Sequence, residues 1–217
     1  MEKFKIEANT FLKKDVQGYY HTLYKKMSDP CTETLHINYL KDDNVCFSTE
    51  RLEESRKKLY ENLSDDLPEI LKEQNMSLYI CVVPRAKPEE YYKPSQLLFK
   101  KTIRTFVENT WGNDRLNYVK GYDGIDYIKR TSGTRTTHRY NPHFEYNSSE
   151  EELSLPLPYV GISKDTCTFS PEIKDKNILL IDDLYTYSVN IDEDMIQTLY
   201  DNGAASVCFY SIGYLKY

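Results

Sequence analysis

What this sequence lacks narrows the field first. No stretch of its 217 residues approaches the run of about 18 apolar residues that marks a membrane-spanning helix, and the charged start Met1-Glu2-Lys3-Phe4-Lys5 carries no signal-peptide core. The five cysteines, Cys31, Cys46, Cys81, Cys167 and Cys208, are odd in number and dispersed, with no Cys-x-x-Cys, so neither a disulfide framework nor a zinc ribbon is indicated. Cys31, His36 and Cys46 match no standard zinc spacing. A basic excess is also missing: 28 Lys and Arg stand against 34 Asp and Glu, for a net charge of −6 and a pI near 5.4. That balance argues against a general nucleic-acid surface, while local basic pockets stay open. There is no internal repeat and no low-complexity tract. The expectation is a cytoplasmic protein with reduced thiols, long enough for a full core without staples.

What the chain does have is concentrated at residues 177–190, Asn-Ile-Leu-Leu-Ile-Asp-Asp-Leu-Tyr-Thr-Tyr-Ser-Val-Asn. A near-continuous apolar run that ends in two adjacent carboxylates is the pattern of a buried parallel strand emerging at a ligand-binding edge. A hydroxyl- and amide-rich turn follows. Ile191, Met195, Ile196, Leu199 and Tyr200 then recur at helical spacing before Gly203. A strand, a polar loop and a helix N-terminus can together hold an anion. Two plainer readings compete. Receiver domains open on such a strand, but only 34 residues follow Asp183; alternatively, the acids simply precede and cap a helix.

The stretch resembles the signature of type I phosphoribosyltransferases, in which four apolar residues, two acids, two apolar residues and a Thr-Thr-Gly-x-Thr-like loop bind 5-phosphoribosyl 1-pyrophosphate. The resemblance implies that Asp182 and Asp183 hold the ribose 2- and 3-hydroxyls and lie near Mg²⁺. It further implies that Thr186, Tyr187, Ser188 and Asn190 wrap the 5-phosphate. Tyr187 and Ser188 stand where a small hydroxyl and a glycine are usual, and the loss of that glycine removes easy positive-φ geometry.

Earlier in the chain, residues 77–84 (Ser-Leu-Tyr-Ile-Cys-Val-Val-Pro) read as a buried strand ending at Arg85-Ala86-Lys87-Pro88. This turn and the helix expected from Ser95 to Asn109 resemble the ComF-like and amidophosphoribosyltransferase-like branch, without the Cys-rich finger. The resemblance assigns Arg85 and Lys87 to pyrophosphate; a solvated basic turn is the competing reading. Residues 124–128 suggest another short strand, running into a basic, hydroxyl-rich segment with Arg130, Arg135 and Arg139. By resemblance this is the hood loop that closes over the sugar pyrophosphate, and otherwise a flexible surface loop for an acidic partner or nucleic acid. His138 and His143 are surface residues by default. Residues 159–163 and 166–169 suggest one more strand region. Towards the N-terminus, residues 11–26 show helical spacing, 35–47 are more strand-like, and a helix starts at Ser48-Thr49-Glu50 and breaks at Leu67-Pro68.

The expected fold is therefore α/β, an open and mainly parallel sheet of about five strands with helices on both faces. Residues 1–75 would form a mostly helical cap, and residues 76–217 the phosphoribosyltransferase-like core. The resemblance implies binding of phosphoribosyl pyrophosphate with Mg²⁺, and transfer of phosphoribose to an amine or nucleobase as a glycosyltransferase (pentosyltransferase) of nucleotide metabolism. The alternative is a non-catalytic sensor, regulator or DNA-uptake accessory that binds the sugar pyrophosphate or a nucleotide. A homodimer stays open.

Overall fold

A computed structural model describes residues 1–24, 34–41, 47–112, 119–135, 154–187 and 189–216. In chain order the elements are β1 (Glu2–Ile6), β2 (Val16–Leu23), α1 (Leu35–Lys41), α2 (Thr49–Gln74), β3 (Leu78–Val82) and α3 (Leu98–Trp111). They continue with β4 (Gly121–Asp123), β5 (Ile128–Arg130), α4 (Ile162–Thr166), β6 (Cys167–Phe169), β7 (Asn177–Thr186), α5 (Ile191–Asp201) and β8 (Ser206–Leu215). Six strands form one sheet in the order β1-β2-β8-β7-β3-β4, and β5 pairs with β6 in a separate small sheet. Within the large sheet only β1 runs antiparallel to its neighbour. The protein is thus α/β, with a mostly parallel mixed sheet.

The apolar run of β7 explains its central place. Ile178, Leu179, Leu180 and Ile181 are all fully buried, because both faces of the strand are covered. Leu179 and Ile181 join one core with Leu59, Leu63, Leu67 and Ile70 of α2 and with Ile103 and Phe106 of α3. Ile178 and Leu180 join a second core with Met195, Ile196 and Leu199 of α5. Each such fully buried aliphatic side chain contributes about 1.5–3 kcal/mol.

Several local expectations change. Residues 11–26 do not form a helix: β2 lies between β1 and β8, parallel to β8 through pairs such as Gly18 with Phe209 and Tyr20 with Ser211. Its tyrosines suit a strand because they pack across neighbours. Tyr20 stacks on Tyr214 with ring centroids 4.9 Å apart, and Phe4 of β1 lies 4.8 Å from Tyr214. Residues 1–75 therefore supply two strands of the main sheet as well as helices. Conversely, the strand-like 35–47 region contains the helix α1, whose Ile37 and Leu40 enter the first core. Helix α2 begins where expected, with Ser48 Oγ accepting from the Arg51 N–H, but continues through Pro68 to Gln74. Its stripe of Leu59, Leu63, Leu67, Ile70 and Leu71 is buried on the sheet, and this packing outweighs the hydrogen bond that Pro68 cannot donate.

The remaining shifts surround the cavity. The expected 124–128 strand divides: β4 ends before Gly124, a turn closes with Tyr127 N–H donating to Gly124 O, and β5 belongs to the small sheet. Residues 159–163 are a turn into α4, entered through Gly161 at φ 96°, and only β6 follows as strand. Cys81, Cys167 and Cys208 are buried free thiols. Among the described residues no helix is long and apolar enough to cross a membrane.

The order of connections places a crevice. From β3 the chain steps outward to β4, whereas from β7 it steps the opposite way to β8, so β3 and β7 flank the point where strand order reverses. Ligands in open α/β sheets bind there, beyond the carboxyl ends of the strands.

Candidate functional site

β3 and β7 are unequal in length, and this opens the site. Val82 pairs with Ile181 and Val83 N–H donates to Ile181 O at 2.9 Å, after which β3 turns away. β7 does not stop at its acids as the sequence pattern suggested; it continues to Thr186, held by β8 through Leu184–Gly213 and Thr186–Leu215. Beyond Ile181 its other edge is bare of β3 and becomes the floor of a cavity of about 540 Å³. That lies within the range of about 300–1,000 Å³ usual for small-molecule sites.

One wall is acidic. Asp182, Asp183 and Asp192 all line the cavity, and Asp182 Oδ1 accepts from the Asp183 N–H at 2.7 Å. Asp192, in the first turn of α5, is 6% exposed, and its Oδ1 has no hydrogen-bond partner. Burial pushes the Asp192 carboxyl well above the usual carboxylate range, and the neighbouring Asp182 and Glu193 push it further. The other two acids of that turn face elsewhere. Glu193 accepts from Tyr185 OH at 2.6 Å, and burial raises its pKa. Asp194 accepts from the backbone N–H of Gly161 and of Ser163, which fixes the start of α4.

Cations line the cavity as well. Arg85, Lys87, Arg130 and Arg135 are part of it, together with Lys93, Lys100 and Lys129, and with the acids Glu89 and Glu90. Lys100 is already paired with Glu89 and Asp126, each at 2.9 Å. Arg85 Nη1 donates to Leu40 O at 3.1 Å, and the Arg85 N–H donates to Tyr92 OH at 3.0 Å. Burial lifts the Tyr92 phenol to about 12, so it remains a neutral hydroxyl. Arg130 is 8% exposed; its Nε donates to Arg85 O at 3.0 Å and its Nη1 to Thr166 Oγ1. Among the described residues no carboxylate forms an ion pair with it. The start of the expected hood is tied down: Thr134 N–H donates to Ala86 O at 2.8 Å, and Arg135 N–H to Pro156 O at 3.0 Å.

The structure thus brings together Asp182, Asp183, Thr186, Arg85, Lys87, Arg130 and Arg135 from segments far apart in sequence. Tyr187 is 60% exposed and stands outside the cavity wall. Asn190 caps α5 in the left-handed region at φ 59°, and its Oδ1 accepts from Asn9 Nδ2 at 3.0 Å, so this side chain is tied to the β1–β2 connection. Ser188, Arg139, His138, His143, Cys31 and Cys46 lie outside the described residues. His36 is buried beside Asn62, with Nε2 and Nδ2 at 3.1 Å. Asp192 was missed by sequence reasoning. An acid at the second position of a helix is an ordinary N-terminal residue, and nothing in the spacing shows that it folds back on Asp182.

Among the described residues no group of three or more His, Cys, Asp or Glu is arranged to hold a metal. Buried Cys81 and Cys208 have thiols raised far from the reactive range, Cys208 to about 12, so neither is a nucleophile. No protein-family model matches the chain, and no curated protein matches its sequence.

Proposed function

We propose that this protein binds a phosphorylated ribose compound, phosphoribosyl pyrophosphate or a nucleotide, in the β3–β7 cavity. The buried Arg130 guanidinium carries the reading. A charge taken out of water is costly unless an opposite charge meets it. Here none does among the described residues, while the guanidinium faces a cavity large enough for a nucleotide. A diphosphate on the wall of Arg85, Lys87, Arg130 and Arg135 supplies the missing anion, since guanidinium groups bind phosphate in a planar fork. Ribose hydroxyls donate to Asp182 and Asp183, which line the same cavity.

Mg²⁺ fits this arrangement as an ion that arrives with the phosphates. It is commonly held by one or two carboxylates plus phosphate oxygens and water, and Asp182 and Asp183 provide the carboxylates. When bound, it neutralises charge on the diphosphate.

Binding without transfer is the reading that Asn190 and Asp192 favour, because the loop expected to grip a 5-phosphate is tied to Asn9 and edged with an acid. Calorimetric titration with phosphoribosyl pyrophosphate and with ADP, each with Mg²⁺, tests the proposal on the wild type and on Asp182→Asn/Asp183→Asn. Saturable binding by the wild type, weakened in the double variant, is expected. Failure of both ligands to bind refutes the proposal. Pyrophosphate release with a panel of amines and nucleobases would instead establish a transferase.

A further inference from the structure

One aromatic side chain on the cavity has no use within the protein. The connection that leaves β3 through Arg85 and Lys87 runs into a short helical turn, Glu89–Tyr91, held by the Tyr91 N–H donating to Pro88 O at 3.1 Å. Tyr91 lines the cavity, yet it is 70% exposed. Among the described residues its ring meets no aromatic or cationic neighbour and its hydroxyl makes no hydrogen bond. Tyrosines of comparable position are engaged: Tyr122 stacks on Tyr79 with centroids 4.9 Å apart, Tyr159 OH donates to Asp165 at 2.9 Å, and Tyr92 OH accepts from the Arg85 N–H. A flat ligand group laid on the Tyr91 ring removes apolar area from water and gains the stacking energy of a ring pair. The acid beside it narrows the kind of group. Glu90 also lines the cavity and forms no ion pair among the described residues, whereas Glu89 is taken up by Lys100 at 2.9 Å. A carboxylate there accepts from amino and ring N–H donors and offers nothing to a phosphate.

We infer that the phosphorylated ligand of this cavity is a nucleotide whose base stacks on the Tyr91 ring. The inference rests on the phosphate-binding reading of the cavity's cations and goes further by choosing among its ligands. Phosphoribosyl pyrophosphate has neither a flat ring nor an N–H, so it leaves the Tyr91 face wet and Glu90 without a donor. ADP brings both, a π-face for the tyrosine and an exocyclic amino group for the acid. Arg85, Lys87 and Tyr91 belong to one connection between β3 and α3 and line one cavity, so a single ligand of nucleotide size serves them together.

The test compares ADP, phosphoribosyl pyrophosphate and inorganic pyrophosphate by calorimetry at one Mg²⁺ concentration, on the wild type, Tyr91→Ala and Tyr91→Phe. Tyr91→Ala is expected to weaken ADP about tenfold, the usual worth of one base–aromatic stack, and to leave pyrophosphate unchanged. Tyr91→Phe, which keeps the ring, is expected to retain the wild-type affinity for ADP. Unchanged ADP binding by Tyr91→Ala overturns the inference, as does an equal loss for ADP and pyrophosphate; either result leaves the phosphate-binding reading intact. The same holds if the wild type binds pyrophosphate or phosphoribosyl pyrophosphate but not ADP. If none of the three ligands binds, both fall together. A second readout needs no truncated side chain: Tyr91→Trp places a fluorophore on the cavity, and ADP is expected to quench it where pyrophosphate does not. Equal responses to the two ligands would again overturn the inference.

Discussion

Asp192→Asn tests the electrostatics of the site without any ligand. The substitution keeps the shape of the side chain and removes its ionisable carboxyl, in a position 6% exposed beside Asp182. Two carboxylates in hydrogen-bonding range, about 4 Å apart at an effective dielectric constant near 20, repel by about 4 kcal/mol. Sharing one proton relieves part of this, and an amide can donate to Asp182, so a net gain of about 2 kcal/mol is expected. For a chain of this length that corresponds to a Tm rise of about 4–8 °C. The pH dependence has a definite sign. The folded-state pKa of Asp192 lies above its unfolded value, so folded wild type holds a proton that the unfolded chain has lost. Wild-type stability from this group therefore falls as pH rises above the unfolded value of about 4 and through the folded value. The variant lacks that loss. Thermal unfolding of both proteins between pH 4 and pH 8 should show curves that nearly meet at the acid end and separate towards neutrality. A variant less stable than wild type at pH 7.5, or an offset independent of pH, would refute the argument.

Three further substitutions probe separate links. Leu63→Ala, at a fully buried α2 position, should cost about 3 kcal/mol and lower the urea midpoint with an unchanged m-value. Pro68→Ala, on the exposed face of α2, restores an N–H to the helix ladder and should stabilise by about 1 kcal/mol or more; a loss of stability would show that the proline geometry is required. Arg130→Met should weaken pyrophosphate binding about tenfold or more, since hydrogen bonds to charged groups are worth about 1.5–3 kcal/mol. Unchanged affinity by calorimetry would mean that the guanidinium serves only to hold Arg85 O and Thr166.

Much of the second half of the chain was legible. Residues 177–181 announced a doubly buried strand because four consecutive apolar residues leave no wet face, and the α5 periodicity named the helix that covers one side. The 77–84 strand was read correctly for the same reason. The N-terminal segment misled because tyrosines at helical spacing in residues 11–26 suit a helix stripe and a strand equally well. The choice lay with β8, some 190 residues away, whose free edge accepted β2. The 124–128 and 159–163 regions failed because short strands and turns share composition, and only pairing partners separate them.

The sequence by itself determined the central parallel strand, its paired acids, the helix behind it and the basic turn at Arg85, since these depend on local runs and periodicities. The tertiary structure alone decided that β7 outruns β3 to leave an open floor, and that Arg130 is buried in the lining of the same cavity. It also decided that Asp192 returns to Asp182. Those outcomes depend on which strand lies beside which and on how much water remains between side chains distant in the chain, and no local pattern encodes either.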